Sequence, residues 1–131
     1  MRKMNTTIPK KITKDNLPKG VKIAVQVSQD RKGEDIVVLD LSEKSSFTDI
    51  FVILHGNSTR QNIAIYENIE MELKKANIYP LSREGLENAE WILMDYGYFI
   101  IHVFSKKARE YYSLENLWID APKLTYTDKS Q

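Results

Sequence analysis

The sequence predicts an α/β domain: a mixed sheet of about four strands with helices, in the order α-β-β-α-β-β-α. Three observations carry this. Two β-branched runs, "EDIVVLDL" at 34–41 and "FTDIFVILHG" at 47–56, stand a short polar turn apart. A helical stripe of apolar residues runs through "NSTRQNIAIYENIEMELKKAN" at 57–77. "EWILMDYGYFIIHVF" at 90–104 reads as a hairpin that is apolar on both faces.

The bounds are those of one globular domain. A chain of 131 residues fits a single core and is long enough to bury a large part of its surface. Hydrophobic residues make up 42% and charged residues 28%, an ordinary globular balance. There are no cysteines, which excludes disulfides and cysteine-ligated metals and fits a reducing, cytoplasmic compartment. No apolar run approaches the ~18 residues of a membrane span, and no secretory signal is expected.

The net charge of +1 hides an asymmetry. Residues 1–19 carry Arg2, Lys3, Lys10, Lys11, Lys14 and Lys19 against Asp15 alone. We expect a basic, flexible leader at 1–19, a folded domain at 20–124 and a polar tail at 125–131. A basic arm could also lie along RNA, a weaker alternative.

The elements follow in order. In "VKIAVQVSQDRKG", Val21, Ala24 and Val25 suit one stripe of a helix, with a strand as the alternative, and Gly33 ends it. Residues 34–41 are short, β-branched and bounded by charges, as in a buried strand. "SEKSS" is a turn, so the strand at 47–56 should pair antiparallel with the first. Ser58 is the N-cap of the long helix, and Gln61 completes a capping box. Ile65, Ile69, Leu73 and Ala76 form its core stripe, Asn77 stops it, and Pro80 forbids continuation. "PLSREGLENAE" is a loop. The hairpin turn is centred near Tyr96–Gly97. "KKAREYYSLENLW" is a last short helix, ended before Pro122. If the second and third strands are parallel, their connection through the long helix is right-handed.

The hairpin raises a question of cover. Strand alternation puts Trp91, Leu93 and Asp95 on one face and Ile92, Met94 and Tyr96 on the other. Phe99, Ile101 and Val103 oppose Tyr98, Ile100, His102 and Phe104. Neither set is polar. One face belongs under the helices. The other needs a terminal segment or a second protein, and Trp, Tyr and Met are enriched where partners dock.

These blocks carry a resemblance. "SSFTD", "GNSTRQ", "EWILMDYG", "HVF" and "LENLW", in this order across residues 21–123, resemble the ribosomal silencing factor family, also called Iojap-like. The resemblance implies a nucleotidyltransferase-like fold without the enzyme's chemistry. It implies binding to large-subunit ribosomal protein fourteen at the subunit-joining face. The small subunit is thereby kept from docking, and translation is repressed when nutrients are limiting.

The enzymatic alternative is a nucleotide-handling nucleotidyltransferase. Enzymes of that fold need a Gly-Ser turn and an Asp-x-Asp pair to hold divalent metals. Here the turn is Ser45–Ser46 without glycine. Asp49 is followed at the second position by Phe51. One carboxylate cannot assemble a two-metal site, so no catalysis, cofactor or metal is expected. His55 and His102 lack metal-ligand company in the sequence and read as hydrogen-bonding residues. "HGNSTR" reads as helix capping in preference to an anion site.

Combining the resemblance with the surface argument, the expected partner-binding residues are Trp91, Asp95, Tyr96, Tyr98, Arg109, Tyr112 and Trp118. Trp91 would be the anchor, the tyrosines would add area, and Asp95 and Arg109 would set orientation. The same patch, uncovered in the free protein, predicts a homodimer.

Overall fold

The computed structural model describes residues 12–126. Ten elements follow in order: α1 (Lys19–Asp30), β1 (Glu34–Asp40), β2 (Ile50–Gly56), α2 (Thr59–Lys75), β3 (Ser82–Glu84), β4 (Trp91–Asp95), β5 (Phe99–Ser105), α3 (Lys106–Tyr112), α4 (Leu114–Leu117) and β6 (Lys123–Tyr126). The mixed α/β architecture agrees with the sequence, but the sheet has six strands, in the order β3-β4-β5-β2-β1-β6.

Pairing of β1 with β2 is antiparallel, as expected for neighbours joined by a turn. At the centre, β2 lies parallel to β5 from Ile50↔Phe99 to Gly56↔Ser105. The parallel neighbour of β2 is thus the fourth expected strand, not the third. The β4–β5 hairpin packs its second arm inward and leaves β4 one place out. All seven residues of β2 are buried, as a central strand covered on both faces requires. Each such aliphatic side chain stabilises the fold by about 1.5–3 kcal/mol.

The helix boundaries are set by local chemistry. Ser58 accepts the N–H of Gln61 at 3.0 Å, so the predicted cap is present. Gln61 returns its side-chain oxygen to the N–H of Asn57 at 2.6 Å, one residue upstream of the usual partner. At the far end Asn77 takes φ 63°, and the N–H of Ile78 reaches the carbonyl of Leu73 at 2.9 Å. That is a left-handed C-terminal stop of the kind asparagine favours. In α1 the left-handed residue is Lys32, φ 66°, and the N–H of Gly33 closes on Ser28 at 2.7 Å.

Two layers cover the sheet. Val21, Ala24 and Val25 of α1 and Ile65, Ile69 and Leu73 of α2 cluster with Val38, Val52, Ile92, Met94, Phe99 and Ile101 on one face. On the other, Ala108 and Ala121, with Leu114 and Trp118, close over Val37, Leu39, Phe51, Ile53, Ile100 and Phe104. The second face of the hairpin is therefore covered largely by the chain's own C-terminal segment.

Several boundaries differ from expectation. The basic leader does not extend to residue 19: Leu17 is buried in the core and Ile12 packs against it. Residues 1–11, which hold most of the leader's charge, lie outside the described residues. The polar tail begins later than residue 125, because Thr125 and Tyr126 pair with Val37 and Ile36; residues 127–131 lie outside the described residues. The loop at 80–90 contains β3, whose residues pair from Ser82↔Asp95 to Glu84↔Leu93. The last helix is broken at Ser113, φ 45°, into α3 and α4.

Candidate functional site

The register fixes what the outer face of the hairpin presents. Trp91 stands opposite Phe104, Leu93 opposite His102 and Asp95 opposite Ile100. Opposed residues share a face. Trp91 is half-buried. Its ring lies 4.9 Å from Phe104 and 4.7 Å from Tyr112 of α3, centroid to centroid. Its indole N–H donates to Nδ1 of His102 at 3.1 Å.

That bond assigns the histidine. Nδ1 must be an acceptor, so the imidazole is neutral with its proton on Nε2. Burial pushes its pKa down to about 3. Phe51 meets His102 edge-on at 4.4 Å, and Trp118 and Phe47 each lie 6.2 Å from Phe51. An aromatic chain thus crosses the sheet from Tyr112 through Trp91, His102 and Phe51 to Trp118. Exposed Tyr111, Tyr112 and Phe47 flank it, and Leu117 and Ile119, also exposed, adjoin Trp118 in sequence.

Three of the expected site residues, Trp91, Tyr112 and Trp118, come together on this face. Tyr98 is exposed at the tip of the hairpin, its ring edge-on to Phe99 at 4.8 Å. Asp95 is half-buried and turns its carboxylate onto the N–H of Gly97 at 2.8 Å, so it shapes the turn. Gly97 takes φ 92°, a conformation that favours glycine.

Tyr96 and Arg109 are placed differently from expectation. Tyr96 is buried on the α1–α2 side, stacked on Phe99 at 4.9 Å. It shares the parity of Ile92 and Met94, and it has no surface to offer. Arg109 is buried as well. Its guanidinium forks onto Glu115 at 2.9 and 3.1 Å, and Nη1 donates to the carbonyl of Glu34 at 3.3 Å. Nη1 also lies 3.0 Å from Nδ1 of His55, whose Nε2 faces Glu34 at 3.3 Å. A guanidinium only donates, so His55 is neutral there too. Burial first, and then the Arg109 charge, lower its pKa. Arg109 therefore joins α3, α4 and the sheet instead of pointing at a partner.

At the positions that correspond to the nucleotidyltransferase turn and carboxylate pair, Asp49 is exposed, Phe51 is buried in the aromatic chain, and Ser45 Oγ accepts the N–H of Phe47 at 3.1 Å within its own turn. Among the described residues no group of three or more His, Cys, Asp or Glu is placed to hold a metal ion. No helix among them is long and apolar enough to cross a membrane.

The sequence marks His102 as a hydrogen-bonding residue, which it is, but it names neither Trp91 as its partner nor the place of Phe51 in the aromatic chain. The signal was available only through register: once Trp91 pairs with Phe104, His102 must stand on the tryptophan's face.

Fold and face together define the class: an α/β domain whose most developed surface is an aromatic face. The family described as "Ribosomal silencing factor during starvation" matches residues 14–131, and the chain belongs to that family. It is 42% identical over 102 residues to "Ribosomal silencing factor RsfS" of Bacillus subtilis (strain 168), covering 78% of this chain and 86% of that protein. A crystal structure of a Chromobacterium violaceum protein superposes with a TM-score of 0.74 at 32% identity, covering 86% of this chain and 88% of that one. A mouse protein named "Mitochondrial assembly of ribosomal large subunit protein 1" is 31% identical over 101 residues, covering 75% of this chain and 44% of the mouse protein.

Proposed function

We propose that this protein silences ribosomes by occupancy, in the cytoplasm. Its aromatic face binds large-subunit ribosomal protein fourteen, and the bulk of the domain then fills space the small subunit needs. No bond is made or broken. The observation that carries this reading is the half-buried Trp91 with exposed Tyr112 beside it and Leu117 and Ile119 on the following segment. Clustered tryptophan and tyrosine side chains with apolar neighbours are the residue types enriched at the centre of protein-binding hot spots. Family membership and the ribosomal names of the relatives support the same reading. The relation to nucleotidyltransferases is one of fold, with the chemistry lost at Phe51 and at the Ser45–Ser46 turn. In the free protein the same face pairs with a second copy, and dimer and ribosome compete. The basic leader adds at most a weak, salt-sensitive RNA contact.

Co-sedimentation with separated subunits tests this. The protein should pellet with large subunits only, and prebound protein should prevent small subunits from joining them. Pelleting with small subunits alone would overturn it. The nucleotide-enzyme alternative predicts a raised melting temperature with magnesium and a nucleoside triphosphate. We expect no shift.

A further inference from the structure

We infer that His102 is the positioning residue of this face: by accepting the indole N–H of Trp91, it fixes the plane in which the tryptophan meets a protein partner. The inference rests on the proposed binding of the large subunit through this face.

His102 carries an apparent defect. It is 2% exposed, and its Nε2 has no partner among the described residues. A buried N–H left unpaired is unfavourable, and such groups are uncommon in folded proteins. An apolar side chain at position 102 would avoid the problem and suit a site walled by Phe51 and Phe104. What the imidazole supplies, and no apolar residue can, is an acceptor at Nδ1. That acceptor is used once, by Trp91, at 3.1 Å.

Trp91 needs it. Indole N–H is a donor only, and this ring is half-buried between Phe104 and Tyr112. Packing against those two tilted rings sets how deep the indole lies but not which edge turns inward. The hydrogen bond decides that: the N–H edge goes to His102. A side chain held in one orientation before binding loses less freedom when the partner arrives. Phe51 and Phe104 fix the histidine in turn, so the orientation of the anchor is set from within the sheet.

The chain has two tryptophans, so the indole region of a ¹H–¹⁵N spectrum holds two signals, and Trp118→Phe assigns them. We expect the Trp91 signal downfield and slow to exchange. In His102→Phe it should move upfield and exchange faster, while affinity for purified large subunits falls roughly three- to tenfold, the value of one pre-ordered side chain. His102→Asn, whose side-chain oxygen can sit near the Nδ1 position, should restore both. If His102→Phe does not fold, His102→Gln carries the same expectation as the phenylalanine variant, because its amide reaches past the Nδ1 position. An unmoved indole signal overturns the hydrogen bond. A moved signal with unchanged affinity overturns the positioning role while leaving the binding face intact. A wild-type chain that binds no large subunits overturns the proposed function itself, and this inference with it.

Discussion

Asn62 of α2, fully buried, donates its amide to the carbonyl of Ala89 at 2.9 Å, across 27 residues of sequence. Ala89 sits at φ 58°, in the left-handed region. The bond pins the loop that delivers the chain to Trp91. Asn62→Ala should leave that carbonyl without its side-chain partner and lower stability by about 1–3 kcal/mol. Urea denaturation checks this, and an unchanged midpoint would show that the loop holds itself. Gly56→Ala should be at least as damaging, because a Cβ there would collide with Oδ1 of Asn62.

Tyr96 gives an opposite expectation. Its hydroxyl is buried with no partner among the described residues, and burial raises its pKa above the usual tyrosine value. Removing an unpaired buried hydroxyl removes a desolvation penalty. Tyr96→Phe should keep or raise the melting temperature and leave large-subunit binding unchanged, since the residue faces α1 and α2. A weakened affinity would return Tyr96 to the interface.

The histidines set the acid limb of stability. Both stand neutral in the fold, with pKa values lowered chiefly by burial, to about 3 for His102. The charged groups facing His55 are Glu34, Asp35 and Arg109. In the unfolded chain both histidines take a proton near pH 6.5. The unfolded state therefore binds more protons below that pH, and stability is full above it. It falls as pH drops, approaching about 1.4 kcal/mol per pH unit from His102, and His55, whose pKa is also lowered, adds a loss of the same sign. For His102 the loss continues down to about pH 3. Urea midpoints should hold from pH 7.5 to about 6.5 and fall from there to pH 5, above the carboxylate range. A flat profile would mean that the imidazoles charge inside the fold.

The face itself is tested by paired truncation. Trp91→Ala with Tyr112→Ala should reduce large-subunit affinity at least thirtyfold, the effect of losing about 2 kcal/mol at a hot spot. Light scattering at rising concentration should show the same variant losing the homodimer. A folded double variant that still binds would move the interface elsewhere.

How much of this could be read from the sequence depends on range. The capped helix at Ser58–Asn77 and the β1–β2 and β4–β5 pairs were legible, because each signal is local. The two edge strands were not. "SRE" and "KLTY" are short and carry polar residues, and only their partners β4 and β1 make them strands. Trp91 and Tyr112 are expected at the surface from the resemblance together with the apolar hairpin pattern, and their rings do meet, at 4.7 Å. Arg109 was misjudged because a guanidinium normally seeks water, and its burial depends on Glu115 arriving after the break at Ser113. Parity already groups Tyr96 with Ile92 and Met94, but the sequence does not say which of the two faces α1 and α2 cover.

The pairing of β6 with β1 has a consequence during synthesis. Strand β1 emerges early, and its outer neighbour β6 is the last described segment to appear. Until residues 123–126 arrive, Ile36–Leu39 presents a row of unsatisfied backbone groups along an apolar strand. Such an edge invites pairing with other nascent chains. The central β2–β5 pair likewise waits for a distant partner, and non-local pairing of this kind is slow. A premature stop ahead of β6 would therefore yield more than a weakened domain. It would yield a chain with a permanently open border, and its expected fate is aggregation.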